Sequence, residues 1–432
     1  MAEAGDKVLV IHNQGEEKGI LMPSPKKEVV IIKLNSGYNM GFETEKVKEI
    51  KLLEKKETPK LIEVKKVKNK DGFKKVTILH CGGTIASKVD YDTGAVKAKF
   101  SPEELLEMFP ELGDIVNLNS KLIANMLSEN MNFSHYNLIA KEIKKEIETG
   151  TQGIIITHGT DTLHYTSAAL SFILEGLKTP VLLVGAQRSS DRGSSDAFLN
   201  LKCAAKFIAE TDFAGVAVCM HTTPEDESCA ILPGVKVRKM HSSRRDAFKP
   251  INTLAYALVN PVGKVKWLNP NYTKTENSEI KLRLLHEKLK IGILKSHPQM
   301  YHEEIDAYQK FDGILLEGTG LGHFPVEKYD DFTSENEEIY NSLVQLAQKI
   351  PTVMTLQTIF GVVNMDVYSP GRELIDAGVL GSGLDITPET AFIKLAWLLS
   401  NYEKKDVKDL WYKDFRGELN KQISYQKDFL GI

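Results

Sequence analysis

The sequence predicts an α/β protein whose two-domain, parallel-sheet body carries a small β-barrel at its N-terminus. Three observations predict it. Near-continuous apolar runs alternate with amphipathic stretches from Val76 onward, the pattern of parallel strands covered by helices on both faces. The first 60 residues show short β-branched runs broken by turn clusters, with no helical period, which marks a small all-β unit. At 432 residues, 42% hydrophobic and 26% charged, the chain exceeds one ordinary core and has the usage of a soluble globular protein.

Taken in order, residues 1–60 are the SH3-like barrel, with turns at Gly15, 23–25 and 35–37. The charged stretch 51–70 reads as a connection, and the overlapping lysine run "EVKKVKNKDGFKK" (63–75) as a solvated linker. Residues 74–265 form the first α/β domain, with "VTILHC", "GIIITHG", "PVLLVGA" and "GVAVCM" as buried strands. Its helices include "SPEELLEMF", where Ser101, Pro102 and Glu104 supply cap, first-turn proline and capping-box acid, and "FSHYNLIAKEIKKEIETG", which stops at Gly150. The stretch 260–277, with Pro261 and Pro270, reads as a linker. Residues 285–405 make a smaller α/β domain on "KIGILKS", "FDGILLEG" and "IPTVMTL", and 406–432 are a C-terminal extension.

Composition excludes several classes. A net charge of -3 argues against bulk attraction to nucleic acid. Four cysteines without a CxxC pair indicate neither a disulfide scaffold nor a zinc site, and a reducing cytosol fits them best. No apolar run approaches the ~18 residues that span a bilayer, and "MAEAGDKVLV" lacks the layout of a signal peptide. The expectation is a cytoplasmic protein with no membrane contact. The histidines show no metal-ligand spacing, so no metal is expected. "GTGLGHF" hints at a dinucleotide turn, but His323 stands where the third glycine belongs.

Two strand ends carry the chemistry. "ILHCGGTIAS" breaks at Gly82 and Gly83, where missing Cβ atoms allow close approach, and then presents Thr84. "GIIITHGTDTLHYTS" repeats that logic with Gly159, Thr160 and Asp161. In open parallel sheets ligands collect outside the carboxyl ends of strands, so both threonines can face one pocket. A threonine hydroxyl is a weak nucleophile until a neighbour takes its proton, and a lysine does this only with a lowered pKa. Lys239, in "PGVKVRKMHSSRRDAF", is a candidate base, although spacing alone favours a surface strand lysine there and leaves Asp161 equally open as a helix cap. Backbone N–H groups of the Gly83-Thr84 and Gly159-Thr160 turns are candidate oxyanion donors. Cys81 is read as a small hydrophobe, because no His and Asn arrangement supports it and adjacent His80 points to the opposite face.

Together "GGTIAS", "THGTDTLHYTS", the serine of "LSENMN", "PVLLVGAQRSS", "SSDAFLNL" and "RKMHSS" resemble the asparaginase/glutaminase-type amidohydrolases over residues 74–400. Cys81 departs from the threonine usual there. With the added barrel and "DYDTGAV", the chain is similar to the D-type, asparaginase-like glutaminase subunits of archaeal glutamyl-tRNA(Gln) amidotransferases. The resemblance implies that Thr84 accepts the acyl group, with Tyr91 its neighbouring phenol, while Thr160, Asp161 and Lys239 handle protons; the residues by themselves leave Thr160 open as the alternative acyl acceptor. It further implies that Ser128 and Glu129, with Asp161, hold the α-amino and α-carboxyl end of glutamine or asparagine, beside Gly83 and Gly159. No cofactor is implied in this chain: ATP and Mg²⁺ belong to an E-type partner subunit that binds Glu-tRNA(Gln). A homodimer within a heterotetramer is implied, with "NMDVYSPGREL" contributing across the subunit boundary. The rivals are a free-standing cytosolic L-asparaginase and a non-catalytic tRNA-binding or assembly subunit.

Overall fold

The computed structural model describes residues 2, 5–22, 24, 28–34, 39–55, 70–83, 85, 87–89, 96–98, 109–188 and 194–422. The expected helix start at Ser101 and most of the 51–70 connection lie outside the described residues.

Strands β1 (Lys7–His12), β2 (Gly15–Met22), β3 (Val29–Lys33), β4 (Asn39–Glu43) and β5 (Val47–Glu54) pair antiparallel in the order β4-β3-β2-β1-β5. Val8, Val10, Ile32 and Phe42 meet in a small core of their own. The β1/β5 register breaks at Lys7/Val8 and at Ile11/His12, and such irregularities bend a sheet round upon itself.

The first α/β domain is built on β6 (Lys75–Gly82), β7 (Asn117–Met126), β8 (Gly153–Thr157), β9 (Pro180–Val184), β10 (Phe213–His221) and β11 (Cys229–Pro233). After the short strand β12 (Val237–Lys239), β13 (Ala257–Val259) and β14 (Val265–Trp267) complete the main sheet, in the order β14-β13-β11-β10-β9-β8-β6-β7. From β7 to β10 the pairs are parallel. Every residue of β8 and β9 is buried, because helices cover both sheet faces and no strand side chain reaches water. Helix α1 (Phe133–Glu148) buries Tyr136, Ile139, Ala140 and Ile143 at helical spacing. It packs with α2 (Leu163–Ile173) on one face, and α3 (Ala197–Glu210) packs on the other. The chain passes from β6 to β7 on one side and then to β8 on the other, so strand order reverses between β6 and β8.

The stretch 260–277 is not the linker that its prolines suggest. It supplies edge strand β14 and a Thr273–Lys274 pairing with β10. Trp267 stacks on Tyr272 at 4.1 Å between ring centroids, so aromatic packing holds the stretch against the sheet despite its turn residues.

The second domain has three parallel strands, β15 (Ile291–Lys295), β16 (Gly313–Gly318) and β17 (Thr352–Leu356), with α4 (Glu335–Lys349) and α5 (Pro388–Asn401). Phe172 of α2 meets Trp397 of α5 at 5.3 Å, and one apolar core runs through both domains. The segment after residue 406 is built into this junction. Arg416 Nε donates to Ser171 O at 2.8 Å, Glu418 meets Lys394 Nζ at 2.8 Å, and Asn420 Nδ2 donates to Asp385 Oδ2 at 2.7 Å. Among the described residues no helix is long and apolar enough to cross a membrane.

Candidate active site

The reversal of strand order between β6 and β8 makes their carboxyl ends the place where a ligand is expected. Glycine lets the loops there touch. Gly83 has φ +83°, and a Cβ built on it would overlap the backbone nitrogen of Gly159. A Cβ on Gly159 would in turn lie 2.8 Å from Ser128 Cβ. The turns after β6 and β8 and the 3-10 turn Ser128–Asn130 after β7 are therefore in mutual contact. Gly185, after β9, completes the layer, since a Cβ there would lie 2.7 Å from Thr160 Cγ2.

On this layer the structure brings together Thr160, Asp161 and Lys239. Lys239 Nζ donates to Thr160 Oγ1 at 2.9 Å and to Asp161 Oδ1 at 2.7 Å. The lysine comes from β12, and its side chain is 10% exposed against 69% for Asp161, so the ammonium is enclosed while its counter-ion stays in water. An ammonium that donates to Thr160 Oγ1 occupies a lone pair of that oxygen and leaves the hydroxyl proton for another acceptor.

Ser128 is buried, and its carbonyl accepts from Thr162 Oγ1 at 2.7 Å, which ties it to the Thr160 turn. Glu129 is exposed on the same 3-10 turn. Thr84 and Tyr91 lie outside the described residues. Burial pushes the Cys81 thiol up to about 12, so it carries almost no thiolate near neutral pH.

Sequence reasoning missed the groups that brace the turns. His158 Nδ1 lies 2.7 Å from Gly159 O, and its Nε2 lies 2.8 Å from Thr166 Oγ1. Because a carbonyl only accepts, Nδ1 carries the proton and Nε2 accepts from Thr166. Buried Asp196 accepts from the backbone N–H groups of Gln187 and Arg188 at 3.0 Å, and Asn200 Nδ2 donates to Gly185 O at 3.0 Å. These bonds hold residues 185–188 after β9. The available signals were a histidine beside a strand-end glycine and the motifs "PVLLVGAQRSS" and "SSDAFLNL", which carry Asp196 and Asn200.

His158 and His80 give a pH prediction. Burial holds both imidazoles at about 4 instead of the ordinary 6.5. His80 is neutral between Thr157 Oγ1 at 2.9 Å and Ser120 Oγ at 2.8 Å. Between those pH values the unfolded chain binds protons that the folded chain refuses, so stability is complete above pH 6.5 and falls as pH drops toward 4. Each histidine contributes roughly 3 kcal/mol to that loss. Urea midpoints at pH 7 and 4.5 should show a smaller drop in a His80→Asn/His158→Asn variant than in the parent. An equal drop in both removes these histidines from the acid sensitivity.

A cavity of about 910 Å³ lies elsewhere, against Lys75, Gln152 and Thr179 at the amino ends of β6, β8 and β9. Two of its lysines are already engaged, with Lys74 Nζ donating to Ile208 O and Lys144 Nζ to Ile280 O. We therefore place the chemistry at the opposite edge. Among the described residues, His302, Glu303 and Glu335 form a group with the spacing of metal ligands. There Glu335 Oε1 already accepts from both N and Nδ1 of His302.

Known proteins cover the chain in three parts. The asparaginase N-terminal domain model matches residues 75–272, the glutaminase/asparaginase C-terminal domain model 290–410, and the GatD N-terminal domain model 2–53. The D-type subunit of the glutamyl-tRNA(Gln) amidotransferase from Methanococcus maripaludis is 44% identical over 430 residues, covering 98% of this chain and 100% of the relative. Its counterpart from Thermococcus kodakarensis is 42% identical over 96% of this chain and 94% of the relative. Among solved structures, the thermostable L-asparaginase of Thermococcus kodakarensis superposes with a TM-score of 0.70 at 29% identity, over 81% of this chain and 100% of that one.

Proposed function

The chain belongs to the asparaginase family, in its branch of D-type subunits of glutamyl-tRNA(Gln) amidotransferases, and from that premise we propose that it hydrolyses the side-chain amide of glutamine to supply ammonia for converting Glu-tRNA(Gln) to Gln-tRNA(Gln). The observation that carries the reading is Lys239 Nζ bridging Thr160 Oγ1 and Asp161 Oδ1 at one strand end.

Thr84 Oγ attacks the amide carbon, and the C–N bond breaks as the threonine proton passes to the departing ammonia. Water then attacks the acyl ester, giving glutamate and restoring the threonine hydroxyl. Thr160, Lys239 and Asp161 carry protons in these steps. Ser128, Glu129 and Asp161 hold the α-amino and α-carboxyl end of the substrate. The chain uses no cofactor of its own. An E-type partner binds Glu-tRNA(Gln) and spends ATP with Mg²⁺, and two copies of each subunit assemble in the cytoplasm.

A free-standing asparaginase is the second reading, favoured by the likeness of the body to L-asparaginase structures. Residues 2–53 support the amidotransferase reading instead, because they match the GatD N-terminal domain. Deleting them should leave ammonia release from glutamine intact and abolish Gln-tRNA formation with the partner and glutamine, with transfer restored by added ammonium. Loss of ammonia release in a folded truncation would sink this division of labour.

A further inference from the structure

Lys239 is the last residue of β12, and Arg238 precedes it. Successive side chains of an extended strand leave opposite faces, so the two cations find different partners. Arg238 Nε lies 3.1 Å from Glu389 Oε1, and the same oxygen lies 3.6 Å from His164 Nε2. Glu389 stands in the first turn of α5, in the C-terminal domain, while His164 stands in the first turn of α2, directly behind the Thr160 turn. Both side chains are buried, 7% and 8% exposed. One carboxylate therefore grips the strand that bears Lys239 and the helix that follows Thr160 and Asp161.

The same C-terminal segment holds the approach to β12 at two more points. Lys236 Nζ meets Asp385 Oδ2 at 2.7 Å, and Thr390 Oγ1 donates to Val235 O at 2.8 Å. Burial alone would push the Glu389 carboxyl up, but His164 and Arg238 outweigh it and hold the group below the ordinary carboxylate range, hence ionised. Glu389 Oε2 and His164 Nδ1 are buried without hydrogen-bond partners. Such unmet polar capacity costs stability and offsets part of what the ion pair contributes.

We infer that Glu389 is a positioning residue, which sets the spacing between Lys239 and Thr160 by holding β12 and α2 in register across the domain junction. The C-terminal domain thereby governs the geometry of a proton-handling group carried by the first domain.

This rests on the amidase reading above, and the test separates the two. Glu389→Gln keeps the side-chain shape and removes the charge. A displacement on the order of 1 Å costs about 100-fold in rate, so kcat for glutamine hydrolysis should fall about 10- to 100-fold with KM within about 2-fold. Glu389→Asp, which keeps the charge, should recover part of the loss. Arg238→Gln should match Glu389→Gln, and the double variant should be no worse than either single one. Without substrate, amide exchange over 160–166 and 237–239 should quicken in Glu389→Gln by more than any change in the global unfolding midpoint accounts for. Wild-type kcat in Glu389→Gln, or slowed turnover with a lowered midpoint and unchanged local exchange, overturns the inference. If the parent protein hydrolyses neither amide, the amidase reading fails and exchange alone decides: quickened exchange sustains the positioning role, and unchanged exchange overturns it.

Discussion

Lys239→Met should lower kcat for glutamine hydrolysis by about 1000-fold or more while leaving a folded protein. General acid–base groups contribute about 100- to 10,000-fold, and groups that act as a unit lose nearly everything when one is removed. Methionine matches the lysine stem in length and apolar character but offers no donor to Thr160 Oγ1 or Asp161 Oδ1, the two partners of Lys239 Nζ. The fold tolerates the change, since Asp161 is mostly exposed and regains water, and an ion pair of that kind adds little stability. Thr160→Ala should be as damaging, and Thr160→Ala/Lys239→Met hardly worse than either alone. The measurements are steady-state ammonia release and a urea unfolding curve for each variant. Turnover within 10-fold of the parent in folded Lys239→Met would take the lysine out of the reaction.

Glu418→Ala should cost about 3–5 kcal/mol of stability, the usual effect of stripping one partner from a buried ion pair. Glu418 and Lys394 are fully buried at 2.8 Å, and Lys394 Nζ also donates to Lys413 O at 2.8 Å. Glu418 Oε2 accepts from the N–H groups of Phe415 and Arg416 at 3.1 and 2.7 Å. Burial pushes the lysine down and the glutamate up, and each charge opposes that shift in the other. Removing the carboxylate leaves an ammonium in a pocket walled by the rings of Trp411 and Phe415, each 5.5 Å away. A Lys394→Met/Glu418→Leu double variant should recover most of the loss, because an apolar pair of similar volume avoids both desolvation costs. Urea midpoints at neutral pH test this, and a loss below about 1 kcal/mol for Glu418→Ala would mean that water reaches the pair.

How much of this was legible follows from what sequence patterns encode. Runs such as "GIIIT" and "PVLLV" announce strands buried on both faces, and the structure buries every residue of each. Gly-Thr-Asp at a strand end is a local signal, so the Thr160 turn could be read directly. Lys239 could not: 79 residues separate it from Thr160, no spacing rule spans that distance, and the strand run that offered it as a base reads as readily as a surface strand until the resemblance singles it out. Glu389 looks like any acid in a first helical turn, favourable there for the helix dipole alone. Its grip on Arg238 and His164 depends on how two domains dock. The 260–277 stretch was misread because its prolines are local signals, whereas its pairing with β10 joins it to a strand distant in sequence. Thr84 and Tyr91 lie outside the described residues.

The fastening of the junction has a consequence for biosynthesis. Chains leave the ribosome N-terminus first, and domains tend to fold as they appear. Lys236 precedes its partner Asp385 by 149 residues, and Asp385 precedes Asn420 by 35. Lys394 likewise emerges before Glu418. The first domain therefore finishes its sheet while the cation at the foot of β12 still lacks its anion. A nascent chain that stops near residue 400 holds Thr160, Asp161 and Lys239, yet leaves Lys394 without Glu418. Translation must run past residue 420 before the buried charges at the junction are matched, which delays assembly of a competent site until both domains have been made.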